Sequence, residues 1–238
     1  MEPDLRGRGA VVTGASSGVG RAIARHLAAQ GATVCLVGRD RERLESAAED
    51  AGSGIVCQAD LAVDDDVRAL ASVAGSDLPG VDVLVHAAGI IEIDPMETAP
   101  VADFDSQYRV NLRAPYLLTQ ALLPMLVEGS GQVVFVNSTA GRSAGGGSGQ
   151  YAATKHGLRA VADSLRAEVN SDGVRVLSVL LGRTATPMQA ALAAQEGRAH
   201  RPELLVQPED VASVVGCALV LPRTAEITEV AIRPMAKT

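Results

Sequence analysis

Two side chains suited to proton transfer, a phenol and an amine, stand four residues apart in Tyr151-Ala-Ala-Thr-Lys155. In a helix, residues at this spacing share a face. A free phenol has a pKa of about 10, and lowering it to about 7 requires about 4 kcal/mol of phenolate stabilisation. A cation about 4 Å away, at an effective dielectric of about 20, supplies that much. We therefore predict that Lys155 lowers the pKa of Tyr151 and that Tyr151 exchanges a proton with an alcohol or a carbonyl. A tyrosine packed over a surface lysine is the alternative.

Ser138 and Asn111 are candidates for the same site. Ser138 directly follows an apolar segment and precedes Tyr151 by 13 residues, so a loop can bring both hydroxyls to one substrate oxygen. Asn111 precedes Pro115 by four residues, and proline lacks the N–H that would otherwise bond to the carbonyl of residue 111. We therefore predict a bend at Asn111 and a water on its freed carbonyl, which relays protons between Lys155 and solvent. The alternatives are a turn or N-cap serine and an incidental helical asparagine.

A glycine-rich segment, Thr13-Gly-Ala-Ser-Ser-Gly-Val-Gly20, lies between a predicted strand and a predicted helix. Backbone N–H groups and a helix N-terminus in such a turn bind a pyrophosphate. Gly14 permits the turn, Gly18 the close approach of the backbone to phosphate, and Gly20 the packing of helix on strand. The context favours a dinucleotide site over an ordinary glycine-rich turn.

The end of the second predicted strand indicates which dinucleotide binds. An acidic residue there would accept hydrogen bonds from the ribose hydroxyls of NAD, but the chain has Gly38 followed by Arg39. Arg39 can pair with a 2′-phosphate, which is worth roughly 1.5–3 kcal/mol, while Asp40 caps the next helix. We therefore predict that NADP(H) is preferred over NAD(H). A solvated surface arginine is the alternative.

Strands and helices alternate along the chain and position these residues. The predicted strands cover residues 9–13, 33–37, 54–57, 81–85, 132–136, 174–181 and 227–232, and the predicted helices include 103–128, 150–171, 189–200 and one that starts at Pro208. This order predicts an α/β fold, a Rossmann-type doubly wound sheet of about seven mostly parallel strands with helices on both faces. Because no linker interrupts the pattern, we predict one domain over residues 1–238, with a short substrate-covering segment near 187–202.

Composition argues against several classes of function. The net charge of −7 and the five aromatic residues argue against nucleic-acid binding, which favours basic patches and stacking platforms. No apolar run approaches the ~20 residues of a membrane-spanning helix, and the first six residues lack the apolar core of a signal peptide. Cys35, Cys57 and Cys217 lie far apart within apolar stretches, which predicts reduced core thiols in a cytoplasmic protein. We predict no metal site.

These motifs together resemble the short-chain dehydrogenase/reductase family over essentially the whole chain. Residues 13–20 are similar to the family's T-G-x-x-x-G-x-G loop and residues 151–155 to its Y-x-x-x-K motif, with Asn111 and Ser138 in the family's order between them. The resemblance implies an NADP(H)-dependent oxidoreductase for a small-molecule carbonyl or secondary alcohol, active as a homotetramer or homodimer. It implies that Tyr151 is the general acid or base and that Ser138 polarises the carbonyl. It further implies that Lys155 binds the nicotinamide ribose and lowers the Tyr151 pKa, and that Asn111 holds the relay water.

The resemblance also implies which residues bind the cofactor. Besides Tyr151 and Lys155 they are Gly14, Ser16, Ser17, Gly18, Val19, Gly20, Arg39, Asp60, Leu61, Ala88, Gly89, Gly182, Thr184 and Thr186. Two motifs depart from the family: N-N-A-G is His86-Ala-Ala-Gly89 here, and P-G-x-x-x-T is Leu181-Gly-Arg-Thr-Ala-Thr186. We interpret His86 as a hydrogen-bonded strand-end residue. Two alternative functions stay open, an NAD-linked alcohol dehydrogenase of the same family and a non-catalytic dinucleotide-sensing regulatory protein.

Overall fold

One sheet of seven parallel strands forms the centre of the computed structural model, which describes residues 5–236. The strands are β1 (Gly9–Thr13), β2 (Thr33–Gly38), β3 (Ile55–Gln58), β4 (Val83–His86), β5 (Gln132–Ser138), β6 (Arg175–Leu181) and β7 (Glu229–Ile232). Their order across the sheet is β3-β2-β1-β4-β5-β6-β7. The order reverses between β1 and β4, and at this point open α/β sheets bind ligands. The prediction about a signal peptide rests mostly on residues 1–4, which lie outside the described residues.

Helices connect the strands on both faces. They are α1 (Gly18–Ala29), α2 (Arg41–Asp50), α3 (Asp64–Asp77), α4 (Val101–Tyr108), α5 (Ala114–Glu128), α6 (Gly149–Val169), α7 (Pro187–Gln195) and α8 (Pro208–Leu219). Successive strand residues face opposite layers, so that Val12 packs beneath α1 and α8 while Val11 packs beneath α3, α5 and α6. Because both faces are covered, the strands are nearly continuous apolar runs.

The predicted long helix over 103–128 is interrupted around Asn111, where the sequence predicts a bend. Residues Arg109–Arg113 form one π-helical turn between α4 and α5, in which the N–H of Ala114 bonds to the carbonyl of Arg109. Pro115 follows at the second position of α5. Because proline cannot supply the N–H that an α-helical turn needs here, the turn widens instead.

Two other sequence-based predictions need correction. The helix predicted over 189–200 begins at Pro187, where Thr186 caps it by accepting a bond from the Gln189 N–H, and it ends at Gln195. Gly197 then adopts φ +63°, a left-handed conformation that stops the helix. Cys35 and Cys57 are buried as predicted, but the core assignment of Cys217 is wrong, because Cys217 lies on the solvent side of α8.

Within residues 5–236, no helix is both long and apolar enough to cross a membrane. The same part of the chain contains no group of three or more histidine, cysteine or acidic side chains that could hold a metal ion.

Candidate active site

A cleft of about 620 Å³ runs along the carboxyl edge of the sheet, from the end of β2 to the start of α7. It is lined by every predicted cofactor residue and by three of the four predicted catalytic residues, Ser138, Tyr151 and Lys155. Asn111 lies beneath the cleft without lining it. The parallel strands bring these residues together, because the loops after β1, β2, β4, β5 and β6 all leave the sheet at this edge.

The glycine loop runs from the end of β1 into the first turn of α1 and leaves no room for a side chain at Gly14 or Gly20. Gly14 has φ +68°, and a Cβ atom there would lie 2.8 Å from the Cα of Ala88. A Cβ atom at Gly20 would lie 2.3 Å from the carbonyl oxygen of Gly14. Ser17 begins α1 without a capping bond from its side chain. The first N–H groups of α1, on residues that line the cleft, are therefore available to an anion.

The far end of the cleft, at β2, carries a positive charge and no acid. Gly38 ends the strand, and a Cβ atom there would lie 3.5 Å from the hydroxyl oxygen of Ser16. Arg39 is exposed and lines the cleft, and its guanidinium forms no ion pair with any residue in 5–236. Asp40 caps α2 as predicted, by accepting a 3.1 Å bond from the N–H of Arg43, and its carboxylate pairs with the guanidinium of that residue at 3.2 Å.

Burial dominates the electrostatics of Tyr151 and Lys155. It raises the pKa of Tyr151 to about 12, and a hydrogen bond with Ser138 lowers that pKa only in part. Burial also lowers the pKa of Lys155 to about 8. The Lys155 Nζ lies 5.7 Å from the centroid of the Tyr151 ring and donates a 3.4 Å bond to the carbonyl of Val136. Burial and Ser138 therefore set the Tyr151 pKa in this structure, and a lowering of that pKa by Lys155 stays a prediction.

Ser138 lies at the end of β5, as predicted, and contacts both the loop and Tyr151. Its hydroxyl oxygen accepts a 3.1 Å bond from the Ala140 N–H, so the N-cap alternative describes the residue too. Asn137, which the sequence analysis missed, braces the pair. Its Nδ2 donates to the carbonyl of Lys155 at 3.1 Å, and its Oδ1 accepts from the Ser138 N–H at 2.8 Å.

The side chain of Asn111 holds a loop. Its Oδ1 accepts from the Ile90 N–H and its Nδ2 donates to the Ile90 carbonyl, both at 2.9 Å. A third bond, 3.2 Å long, joins Nδ2 to the hydroxyl of Thr154. Since these bonds occupy the carboxamide, a water bound by Asn111 must use its main-chain carbonyl. Gly89 links this residue to the cleft, because a Cβ atom there would lie 3.4 Å from the Asn111 Oδ1 and 3.8 Å from the Lys155 Nζ.

His86 is a structural residue, as its position at a strand end indicates. It is buried, and one ring nitrogen lies 2.8 Å from the hydroxyl of Thr119. The ring stacks on Phe135 with centroids 5.0 Å apart. Burial lowers its pKa to about 3, so the imidazole is neutral at physiological pH.

Several residues of the cleft wall escaped the sequence analysis. Ile91, Ile93, Met188 and Leu192 line the cleft from the loop after β4 and from α7. No motif marks them, since they are ordinary aliphatic residues in loops and at helix ends. Of the polar residues noted in the segment after Thr186, Gln189, Glu196 and Arg198 line the cleft, while His200 and Arg201 do not.

Comparison with known proteins identifies the chain. Residues 8–197 match the family described as short chain dehydrogenase. The chain belongs to this family. The short-chain dehydrogenase is 35% identical over 240 residues to the glycine betaine reductase ATRR of Emericella nidulans. That match covers 97% of this chain and 19% of the relative, so the chain spans about a fifth of that protein.

Two solved structures share the fold of this short-chain dehydrogenase over nearly their full lengths. An alcohol dehydrogenase from the archaeon Thermococcus sibiricus, complexed with 5-hydroxy-NADP, matches with a TM-score of 0.89 at 26% identity, over 97% of this chain and 98% of that chain. A metagenomic short-chain oxidoreductase in complex with NADP matches with a TM-score of 0.85 at 32% identity, over 98% of this chain and 99% of that chain. The predicted family and the predicted Rossmann-type fold are therefore confirmed, and the protein is a short-chain oxidoreductase.

Proposed function

We propose that this short-chain dehydrogenase is an NADP(H)-dependent carbonyl reductase and secondary-alcohol dehydrogenase. The observation that carries the proposal is that Ser138, Tyr151 and Lys155 line one continuous cleft with the glycine loop. A site that only senses a dinucleotide needs the glycine loop, but it does not need a phenol, a hydroxyl and an amine together at the other end.

The described residues fit a nicotinamide dinucleotide. A Cβ atom at Gly18 would lie 3.0 Å from the Thr186 side chain, so that only glycine leaves space between the loop and the turn after β6. Gly182, Thr184 and Thr186 are proposed to hold the nicotinamide end, while Asp60 and Leu61 are proposed to flank the adenine. The bound nicotinamide supplies the hydride in reduction and accepts it in oxidation.

The side chains then handle the oxygen and its proton. Ser138 donates a hydrogen bond to the carbonyl oxygen and polarises it, while Tyr151 donates the proton that the oxygen gains. A pKa of about 12 keeps the Tyr151 phenol protonated at neutral pH, which is the form required for carbonyl reduction. Lys155 holds the ribose and, with a water on the Asn111 carbonyl, returns a proton to Tyr151 from solvent.

The preference for NADP(H) rests on the β2 end of the cleft. Arg39 forms no ion pair within residues 5–236 and, beside Gly38 and Ser16, offers a cation to a 2′-phosphate, to which Ser16 adds a hydroxyl. Gly38 at the strand end offers no acid to the ribose hydroxyls of NAD. The two solved relatives described above bind NADP or its 5-hydroxy derivative, which supports the same assignment.

Substitution of Tyr151→Phe tests the proposal. The phenol oxygen is lost and the ring is kept, so NADPH affinity should stay within about twofold while turnover of ketones falls by roughly 10²–10⁴. Cofactor affinity is measured by the fluorescence of the reduced nicotinamide and turnover by its absorbance. If the wild-type chain binds a dinucleotide but turns over no ketone and no alcohol, the sensing alternative is favoured. Tighter binding of NADH than of NADPH would favour the NAD-linked alternative.

We further propose one functional unit over residues 1–238, in which residues 187–202 cover the substrate. Exposed apolar side chains on α4 and α5 support a homodimer or homotetramer: Val101 is 73% exposed, Phe104 41% and Tyr116 56%. Sedimentation velocity measures the number of chains. The free cysteines support a reducing, cytoplasmic location.

A further inference from the structure

A buried carboxamide outside the predicted catalytic set forms hydrogen bonds to the loop after β4. Gln107 is fully buried on α4, four residues before Asn111. Its Oε1 accepts from the Glu92 N–H and its Nε2 donates to the Glu92 carbonyl, both at 3.2 Å. Asn111 makes the same pair of bonds to Ile90. Two amides one helical turn apart therefore bind two backbone units that are two residues apart.

This pattern holds residues 90–93 in an extended conformation. In an extended chain, alternate residues direct their N–H and C=O groups to the same side, as in a strand that pairs with a neighbour. Here the two carboxamides take the place of the neighbouring strand. The opposite side of the segment is held as well, because the Gln195 Nε2 at the end of α7 donates a 3.1 Å bond to the Ile93 carbonyl.

The segment held in this way forms one wall of the cleft. Ile91 and Ile93 line the cleft, while the exposed Glu92 does not. Met188 and Leu192 of α7, the helix that Gln195 joins to Ile93, also line the cleft, so two neighbouring elements contribute aliphatic side chains to it. A nearby cation, Arg198, is paired with Glu196, its Nε at 2.7 Å from the carboxylate. The pair leaves little positive charge for an anionic substrate group.

We infer that Gln107 is a positioning residue that fixes the Ile91–Ile93 wall, and that this wall selects neutral carbonyl compounds with an aliphatic chain beside the carbonyl. The inference rests on the proposed carbonyl reduction and names its substrate class. A chain that leaves water for the wall gains affinity with each methylene, whereas a terminal carboxylate beside this wall loses its hydration and meets an Arg198 that Glu196 already pairs.

The first test uses straight-chain 2-ketones of four to eight carbons and keto acids of matching length, with NADPH as the reductant. We expect kcat/KM to rise by about fourfold per methylene that the wall buries, and each keto acid to react at least about tenfold more slowly than its neutral counterpart. A flat chain-length series, or faster reduction of the keto acids, would overturn the inference while leaving carbonyl reduction in place. If neither series is reduced, the proposed function itself fails.

The second test removes the hydrogen bonds between the Gln107 side chain and the Glu92 backbone. Gln107→Met keeps the length of the side chain but makes no hydrogen bonds to Glu92. We expect the chain-length dependence to flatten through a higher KM for long ketones, while kcat for 2-butanone and the NADPH affinity stay within about twofold. Gln132→Met is the matched control, because Gln132 is also buried and its Nε2 donates to the Leu219 carbonyl at 2.8 Å, at the opposite edge of the sheet.

A general loss of stability would affect both variants alike, so an equal change in Gln107→Met and Gln132→Met would refute the positioning role. Ile93→Ala tests the wall without removing a buried polar group, and it serves if Gln107→Met does not fold. We expect it to lower kcat/KM for 2-octanone at least about tenfold and kcat/KM for 2-butanone by a clearly smaller factor. Equal losses for both ketones would contradict the inference.

Discussion

Replacing Arg39 with alanine should weaken NADPH binding without affecting NADH binding. Arg39 is exposed at the end of β2, lines the cleft and forms no ion pair within the described part of the chain. Its removal therefore breaks no ion pair within residues 5–236, and a loss of NADPH affinity reports on the ligand. This makes the substitution a direct test of the cofactor assignment.

The expected magnitude follows from the exposure of the guanidinium. A charge-assisted hydrogen bond is worth roughly 1.5–3 kcal/mol, or about 10- to 150-fold in affinity. Because Arg39 lies in solvent, where ion pairs are weak, we expect the lower end of this range, about tenfold. The difference between wild type and variant should also shrink as salt is raised from 0.05 to about 0.5 M, since salt screens exposed charges.

The assay follows the fluorescence of the reduced nicotinamide during titration with NADPH and, separately, NADH. The protein has no tryptophan, so no indole transfers energy to the nicotinamide. Arg41→Ala is the matched control, since Arg41 is an exposed neighbour whose guanidinium already pairs with Glu45 at 2.8 Å. Gly38→Asp combined with Arg39→Ala should reverse the preference, because it places an acid where the ribose hydroxyls of NADH would lie.

Two results would refute this reasoning. Equal weakening of NADPH and NADH in Arg39→Ala would mean that the arginine shapes the loop and does not recognise a phosphate. Unchanged NADPH affinity would mean that the guanidinium stays in solvent, and the NAD-linked alternative would then be favoured.

Two further predictions concern buried titratable groups. Lys155→Met should abolish turnover and yet raise the free energy of unfolding at pH 7 by up to about 3 kcal/mol, because burial lowers the Lys155 pKa from 10.5 to about 8. In urea titrations this gain in stability should vanish as the pH rises from 8 towards 10.5. An equal gain at every pH would contradict the prediction. In His86→Asn the free energy of unfolding should fall less steeply than in the wild type as the pH drops from 6.5 to about 4.5. The reason is that the wild-type imidazole has a pKa of about 3 when folded and therefore gains a proton only on unfolding in this range. Acid titrations of the two proteins followed by circular dichroism measure this, and parallel curves would show that His86 is not the group responsible.

The fold was largely predictable because its signals are local. Continuous apolar runs indicated buried parallel strands, and Asp40 and Pro208 marked helix starts that the structure confirms. The interruption at Asn111 was predictable for the same reason, since the missing N–H of Pro115 acts within one turn. The helix ends in the segment after Thr186 were not predictable, because Gly197, which adopts a left-handed conformation, lies among residues that suit either a helix or a loop.

The residues of the site were predictable as a set, while their electrostatics were not. Spacing places Tyr151 and Lys155 on one helix face, but it says nothing about how much water reaches them. The pKa of each group depends on packing from β5, the glycine turn and the neighbouring loops, and those contacts come from distant parts of the sequence. The hydrogen bonds of Gln107 could not be predicted for the same reason, since its partner Glu92 lies in a loop without a motif.

Asn111 combines both kinds of information. Its sequence neighbour Pro115 frees a main-chain carbonyl, which is suited to hold a relay water, while its side chain bonds to Ile90 and to Thr154. Thr154 immediately precedes Lys155, so the carboxamide joins the loop after β4 to the helix that carries the catalytic pair. A substitution at Asn111 therefore removes the side-chain contact and can disturb the main-chain carbonyl at the same time. The two roles separate only when Thr154 is changed, since that substitution leaves the π turn and the Ile90 bonds in place.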